Sequence, residues 1–136
     1  MSDYAHYKVV RYLPTEDNYK VVNVPLDDPY ELQTVLEKQF GFGRHRAYYF
    51  EVCATDENYY LDYVLEYSYG EECGEWGKVR RLSESETDRW CTKVQEIFPG
   101  SEIKRENFRV VDYCYYNCCE PPDYFDERFD SFYDEV

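Results

Sequence analysis

The chain reads as a single α+β domain: a mainly antiparallel sheet of about five strands, two helices packed on one face, and an acidic C-terminal tail. Three observations predict this. Tyr- and Val-rich runs recur with a period of two. Two other segments carry an apolar stripe at helical spacing behind a capping signal. The order ββαβ(β)βαβ groups strands in adjacent pairs, which favours an antiparallel sheet with helices on one side. At 136 residues the chain has the length of one ordinary domain. Residues 1–116 are expected to form that domain, with 117–136 as a docked or flexible tail.

Tyr4 to Leu13 (YAHYKVVRYL) predicts a first strand. Pro14 to Asn18 has turn composition, and Tyr19 to Val24 (YKVVNV) predicts a second strand that closes a hairpin. The first helix follows. Asp28 suits the N-cap, Pro29 suits N1 where its missing N–H costs nothing, and Glu31 falls at N3. Leu32, Val35, Leu36 and Phe40 make its apolar stripe, and Gly41-Phe42-Gly43 supplies the stop.

Arg46 to Cys53 (RAYYFEVC) predicts a third strand, expected to pair as a central hairpin with the stretch from Asn58 onward. That stretch, NYYLDYVLEYSYGEECGEW, is the longest strand candidate. With strict alternation, Tyr59, Leu61, Tyr63, Leu65, Tyr67 and Tyr69 fall on an inner face. Asn58, Tyr60, Asp62, Val64, Glu66 and Ser68 then fall on an outer, acidic one. Gly70 to Gly77 reads as an acidic loop, and Lys78 to Leu82 as a short edge strand or a lead into the next helix. Ser83 and Glu86 form a capping box. Trp90, Cys91, Val94, Ile97 and Phe98 give the second helix its stripe, and Pro99-Gly100 ends it. The last strand is expected from Phe108 to Tyr116. Beyond it, aromatic residues recur through an acidic segment that suits either a short docked helix or a flexible tail.

The formal net charge is −14, and it is concentrated. Residues 55–76 hold seven acids and no Lys or Arg, and residues 117–136 hold seven acids and one Arg. These two blocks carry −13, while the rest of the chain is nearly balanced. Concentrated charge attracts basic partners and repels nucleic acid, so direct nucleic-acid binding is not expected. Aromatic residues make up 20% of the chain, which separates it from disordered acidic proteins.

No apolar run is long enough for a membrane helix, and Met-Ser-Asp reads as a native start without a leader, so a cytoplasmic protein is expected. In that compartment the six cysteines are expected as free thiols. Cys114, Cys118 and Cys119 are close enough in sequence to suggest a zinc site, but C-x3-C-C is not a usual knuckle. His6 and His45 sit in no nucleophile or HExxH motif. GFGRHR at 41–46 lacks the phosphate-loop pattern and follows a helix where a strand is required. No pair of carboxylates stands out for hydrolysis. The chain is therefore expected not to be an enzyme and to need no cofactor.

On a strand, carboxylates two residues apart project from one face about 6.6 Å apart. Duplex DNA shows one charge per about 1.7 Å of axis. Asp62, Glu66, Glu71, Glu72 and Glu75, extended by Asp123, Asp126 and Asp130, are expected to form a surface of comparable density, with Tyr60 and Tyr124 as apolar anchors. Such a surface would occupy a basic nucleic-acid site on a partner protein. In length, charge blocks, aromatic richness and lack of a catalytic motif, the chain resembles the small acidic inhibitors encoded by phages and mobile elements. These include DNA-mimicking anti-restriction and anti-CRISPR proteins. The resemblance lies in general character and carries over no individual residue. It implies a nuclease or CRISPR effector as the partner. Two alternatives stand beside it: a small zinc- or thiol-containing regulatory protein, and a homodimer joined through a Tyr-rich sheet edge.

Overall fold

The computed structural model describes residues 3–40, 50–70 and 76–125. Its centre is a five-stranded antiparallel sheet built from β1 (Tyr4–Tyr12), β2 (Phe50–Ala54), β3 (Tyr59–Gly70), β4 (Trp76–Arg80) and β5 (Phe108–Tyr116). The spatial order is β2-β3-β1-β5-β4. The N-terminal strand thus lies in the middle, and the β2–β3 hairpin forms one side of the sheet instead of its centre. The helices are α1 (Glu16–Val21), α2 (Pro29–Phe40) and α3 (Glu84–Gln95), with a single 3₁₀ turn at Arg105–Asn107.

The expected strand at Tyr19–Val24 is replaced by α1, and local capping explains why. Thr15 Oγ1 accepts from the Asn18 backbone N–H, while Asn18 Oδ1 accepts from the Thr15 N–H, completing a capping box. At the other end Asn23 takes the left-handed conformation at φ 60°. The Asn23 N–H reaches the Lys20 carbonyl, and the Val24 N–H reaches that of Tyr19. This is a Schellman motif with Asn in the position usually held by Gly. Asn18 is itself buried. It accepts from Tyr12 Oη at 2.7 Å and donates to Ser101 Oγ at 2.6 Å, which ties α1 to the sheet and to the segment after α3.

The other two helices begin as their caps predict. Asp28 Oδ1 accepts from the Glu31 N–H, and Ser83 and Glu86 form the reciprocal box. Their stripes pack on one face of the sheet, where Leu32, Leu36, Trp90, Val94, Ile97 and Phe98 meet Val10, Tyr12, Leu61, Phe108 and Val110. Beyond α3, Gly100 supplies a left-handed φ of 83° that turns the chain back toward the sheet. The outer strand β2 is protected by α2: Gln33 Oε1 accepts from the Val52 N–H at 2.8 Å, a donor otherwise open to another strand. The Gly41-Phe42-Gly43 stop and the Arg46–Tyr49 part of the expected strand lie outside the described residues.

A second core lies on the opposite face, where Val9, Val64, Val79, Val111 and Tyr113 are buried beneath Tyr7, Tyr115 and Tyr124. Fully burying a valine contributes about 1.5 kcal/mol or somewhat more. The face expected to be acidic and solvated is therefore an interior surface over half its length. Residues 121–125 lie over it, and the segment is not helical there.

A bulge in β3 decides which tyrosines look outward. Val9 pairs with Val64, but Lys8 pairs with Glu66, leaving Leu65 unmatched. The alternation slips by one at that point. Tyr67 and Tyr69 consequently lie on the same face as Asp62 and Val64, opposite Tyr7 and Ala5, and not on the face of Leu61 and Tyr63 as strict alternation predicts. Among the described residues no helix is long and apolar enough to cross a membrane.

Candidate functional site

Arg11 of β1 is fully buried on the face away from the helices. Asp62 lies opposite it on β3, and the two carboxylate oxygens each accept from the guanidinium at 2.9 Å, through Nε and Nη2. Nη1 donates to the Tyr124 carbonyl at 2.9 Å. The guanidinium carbon lies 4.4 Å from the centre of the Tyr60 ring and 5.3 Å from that of Tyr113. Burial is the largest single effect and lowers the Arg11 pKa; the charge and hydrogen bonds of Asp62, with Cys53 and Tyr113, together more than offset it and hold the group above its ordinary value. Cys53 lies 3.4 Å from Nη2, and burial first, then the Asp62 charge, pushes its thiol up to about 12. That thiol is a structural group and a poor nucleophile.

The C-terminal segment closes this cluster. The Asp123 carboxylate accepts from Thr55 Oγ1 at 3.0 Å, from Asn58 Nδ2 at 2.8 Å and from Tyr60 Oη. Phe125 stacks on Tyr60 with ring centres 5.5 Å apart, and the Arg109 guanidinium lies 4.3 Å from the same Phe125 ring. The Tyr124 ring meets Tyr113 edge-on and lies directly over Gly77, where no side chain stands in the way.

Four residues expected on an exposed acidic surface are therefore brought together around Arg11, two of them buried and two half-buried. Asp62 and Tyr60 are each 1% exposed. Asp62 is turned inward because a buried guanidinium needs a counter-charge, and Tyr60 because it sandwiches that guanidinium and stacks on Phe125. Asp123 is an internal hydrogen-bond acceptor, and Tyr124 is half-buried over Gly77. Glu66 is exposed as expected, on the helix-bearing side of the sheet, 3.9 Å from Lys8. Glu71, Glu72, Glu75, Asp126 and Asp130 lie outside the described residues.

Sequence reasoning missed Arg11 as an organising group, although a signal was present: an arginine inside VVRYL on a strand with apolar neighbours needs a buried partner. Gly77 also carried a signal, because glycine inside a strand marks close approach of another part of the chain.

The ends of the strands beyond the helices carry a different set of groups. On the helix side, His6 Nε2 and Asp112 Oδ1 are 2.7 Å apart, with Trp76 5.3 Å from the histidine ring. This is a diagonal cross-strand pair of the kind that stabilises sheets. On the other side, Tyr7, Tyr67, Tyr113 and Tyr115 form a chain of ring contacts at 4.8 to 5.8 Å. Cys114 is disulfide-bonded, against the expectation of free thiols, while Cys118 keeps its thiol and, like Cys119, is exposed. The disulfide removes one of the three sulfurs that the zinc alternative requires. Among the described residues no group of three or more His, Cys, Asp or Glu is placed to hold a metal ion. No family model, curated protein or solved structure matches this chain.

Proposed function

We propose that the chain is a small non-enzymatic binding protein that lays an acidic surface on a basic, nucleic-acid-binding site of a partner protein, in the manner of a DNA-mimicking inhibitor. The charge balance carries this reading. With 29 acids against 15 Lys and Arg, at least fourteen carboxylates have no cation of their own within the chain. Arg11 and Asp62 cancel inside the molecule, so the whole excess is left for the rest of it. Such an excess costs self-repulsion in the free protein, and a basic partner relieves it.

The contact surface of this proposal is smaller than the ten residues read from the sequence. Asp62, Tyr60 and Asp123 are used internally and Tyr124 is half-buried, so Glu66, Glu71, Glu72, Glu75, Asp126 and Asp130 remain as candidates. The partner is a nuclease, a CRISPR effector or another basic nucleic-acid-binding protein of the cell in which the chain acts.

The test is capture from a lysate of the natural host, in low and in high salt, with and without duplex DNA. The expected outcome is a nucleic-acid-binding protein released by both salt and DNA, and no longer captured by Glu71→Lys/Glu72→Lys/Glu75→Lys. A partner indifferent to salt and DNA, or equal capture by the triple variant, would remove the acidic surface from the account.

A further inference from the structure

The slip in β3 gathers aromatic rings on the face opposite the helices, at the end away from Arg11. Tyr67 and Tyr69 are 53% and 51% exposed there. Tyr7 packs against Tyr67 with ring centres 4.8 Å apart and stacks on Tyr113 at 5.5 Å and 14°. Tyr115 stacks on Tyr113 at 5.8 Å. Tyr7 and Tyr115 are half-buried, so the rings beneath hold the outer ones in place. Glu51 faces the same side through its pairing with Asp62. The Tyr67 phenol is held above its ordinary value by burial first, then by Tyr69 and Glu51, and Glu51 also raises Tyr115. The carboxylate is thus within electrostatic reach of both rings.

The described strand positions on this part of the face, beyond Arg11 and Arg109, carry no Lys or Arg. The chain's own buried arginines show what this side of the sheet accepts. Arg11 lies over Tyr60 at 4.4 Å and Arg109 over Phe125 at 4.3 Å. A planar, weakly hydrated guanidinium stacks on tyrosine more readily than a compact ammonium does. A rigid tyrosine platform beside a carboxylate, on a molecule of charge −14, is complementary to arginine.

We propose that Tyr7, Tyr67, Tyr69 and Tyr115, with Glu51 at their margin, form a docking platform for arginine side chains of a basic protein partner. The proposal rests on the acidic-binder reading and names the part of the surface that gives it chemical selectivity. The charge attracts any basic segment, and the rings select arginine over lysine.

The experiment compares an oligoarginine peptide with an oligolysine peptide of equal length, by calorimetry at physiological salt, with tyrosine ring protons followed by NMR. The expected result is tighter binding of oligoarginine by about tenfold, with shifts of the Tyr67 and Tyr69 ring protons. Tyr67→Ala/Tyr69→Ala erases the difference and keeps the oligolysine affinity. Tyr67→Phe/Tyr69→Phe keeps the difference, because the ring and not the hydroxyl holds the cation. Equal binding of the two peptides, or an unchanged oligoarginine affinity in the alanine variant, overturns the platform and leaves the charge reading standing. Binding of neither peptide overturns both. A parent dimer that the alanine variant converts to monomer, without peptide selectivity, assigns the face to a second copy of the chain and also overturns the proposal.

Discussion

Arg11 reaches across three parts of the chain at once: Asp62 on β3, Cys53 on β2 and the Tyr124 carbonyl in the C-terminal segment. A buried charge of this kind is costly to leave without its partner. Asp62→Asn should therefore lower stability by about 3–5 kcal/mol in urea denaturation. Arg11→Met/Asp62→Leu, which removes both charges, should be less damaging than either single change, and equal damage would mean that the pair is not coupled. Glu86 offers a pH-dependent contrast at the surface. Hydrogen bonds from Arg80 and from the Ser83 N–H lower its pKa from an ordinary 4.5 to about 2. Its folded pKa lies below its unfolded one, so its contribution is complete above about 4.5 and is lost as pH falls toward about 2. In thermal melts, Glu86→Gln should be less stable than the parent at neutral pH, and the gap should close across that acid window.

β3 and the C-terminal segment decide what the sheet presents. Most elements were legible in the sequence because their signals are local: the capping boxes, the helical stripes and the alternation from Phe108 to Tyr116. α1 was misread because the Tyr-Lys-Val-Val run suggests a strand, whereas Thr15, Asn18 and Asn23 cap a helix at both ends. The faces of β3 were misread because its bulge is set by pairing with β1, and periodicity within one strand cannot report a neighbour's register. Docking of residues 121–125 was hidden for the same kind of reason, since it depends on Gly77, some 45 positions away in sequence. Gly77→Ala tests that contact. A Cβ there overlaps the Tyr124 ring, so the segment must shift or leave. The expected cost is about 1–3 kcal/mol in denaturation, with faster proteolytic cleavage between Asn117 and Phe125. A variant as stable and protease-resistant as the parent would show that the segment is held without this contact.

For the whole molecule, the excess of negative charge sets two opposite responses to salt. Screening relieves self-repulsion, so the free chain should melt several degrees higher at about 150 mM salt than at about 10 mM. The same change should weaken any complex with a basic partner, and a free chain whose melting temperature falls with salt would contradict the charge reading. The sign and size of this charge were plain from composition. The placement of Asp62 was not legible, since composition cannot tell a carboxylate facing water from one facing Arg11. The strand order has a further consequence, for the order in which the molecule can be assembled. Of the five described strands β1 is made first, yet it lies in the middle, and its neighbour β5 is made last; His6 and Asp112, which join them, are 106 residues apart. Closing so long a loop must come before the central ladder can form, which makes for a late, slow and cooperative final step. During synthesis the first strand waits without one of its two neighbours until β5 has been made. In that interval the negative charge of the chain also keeps unfinished copies apart.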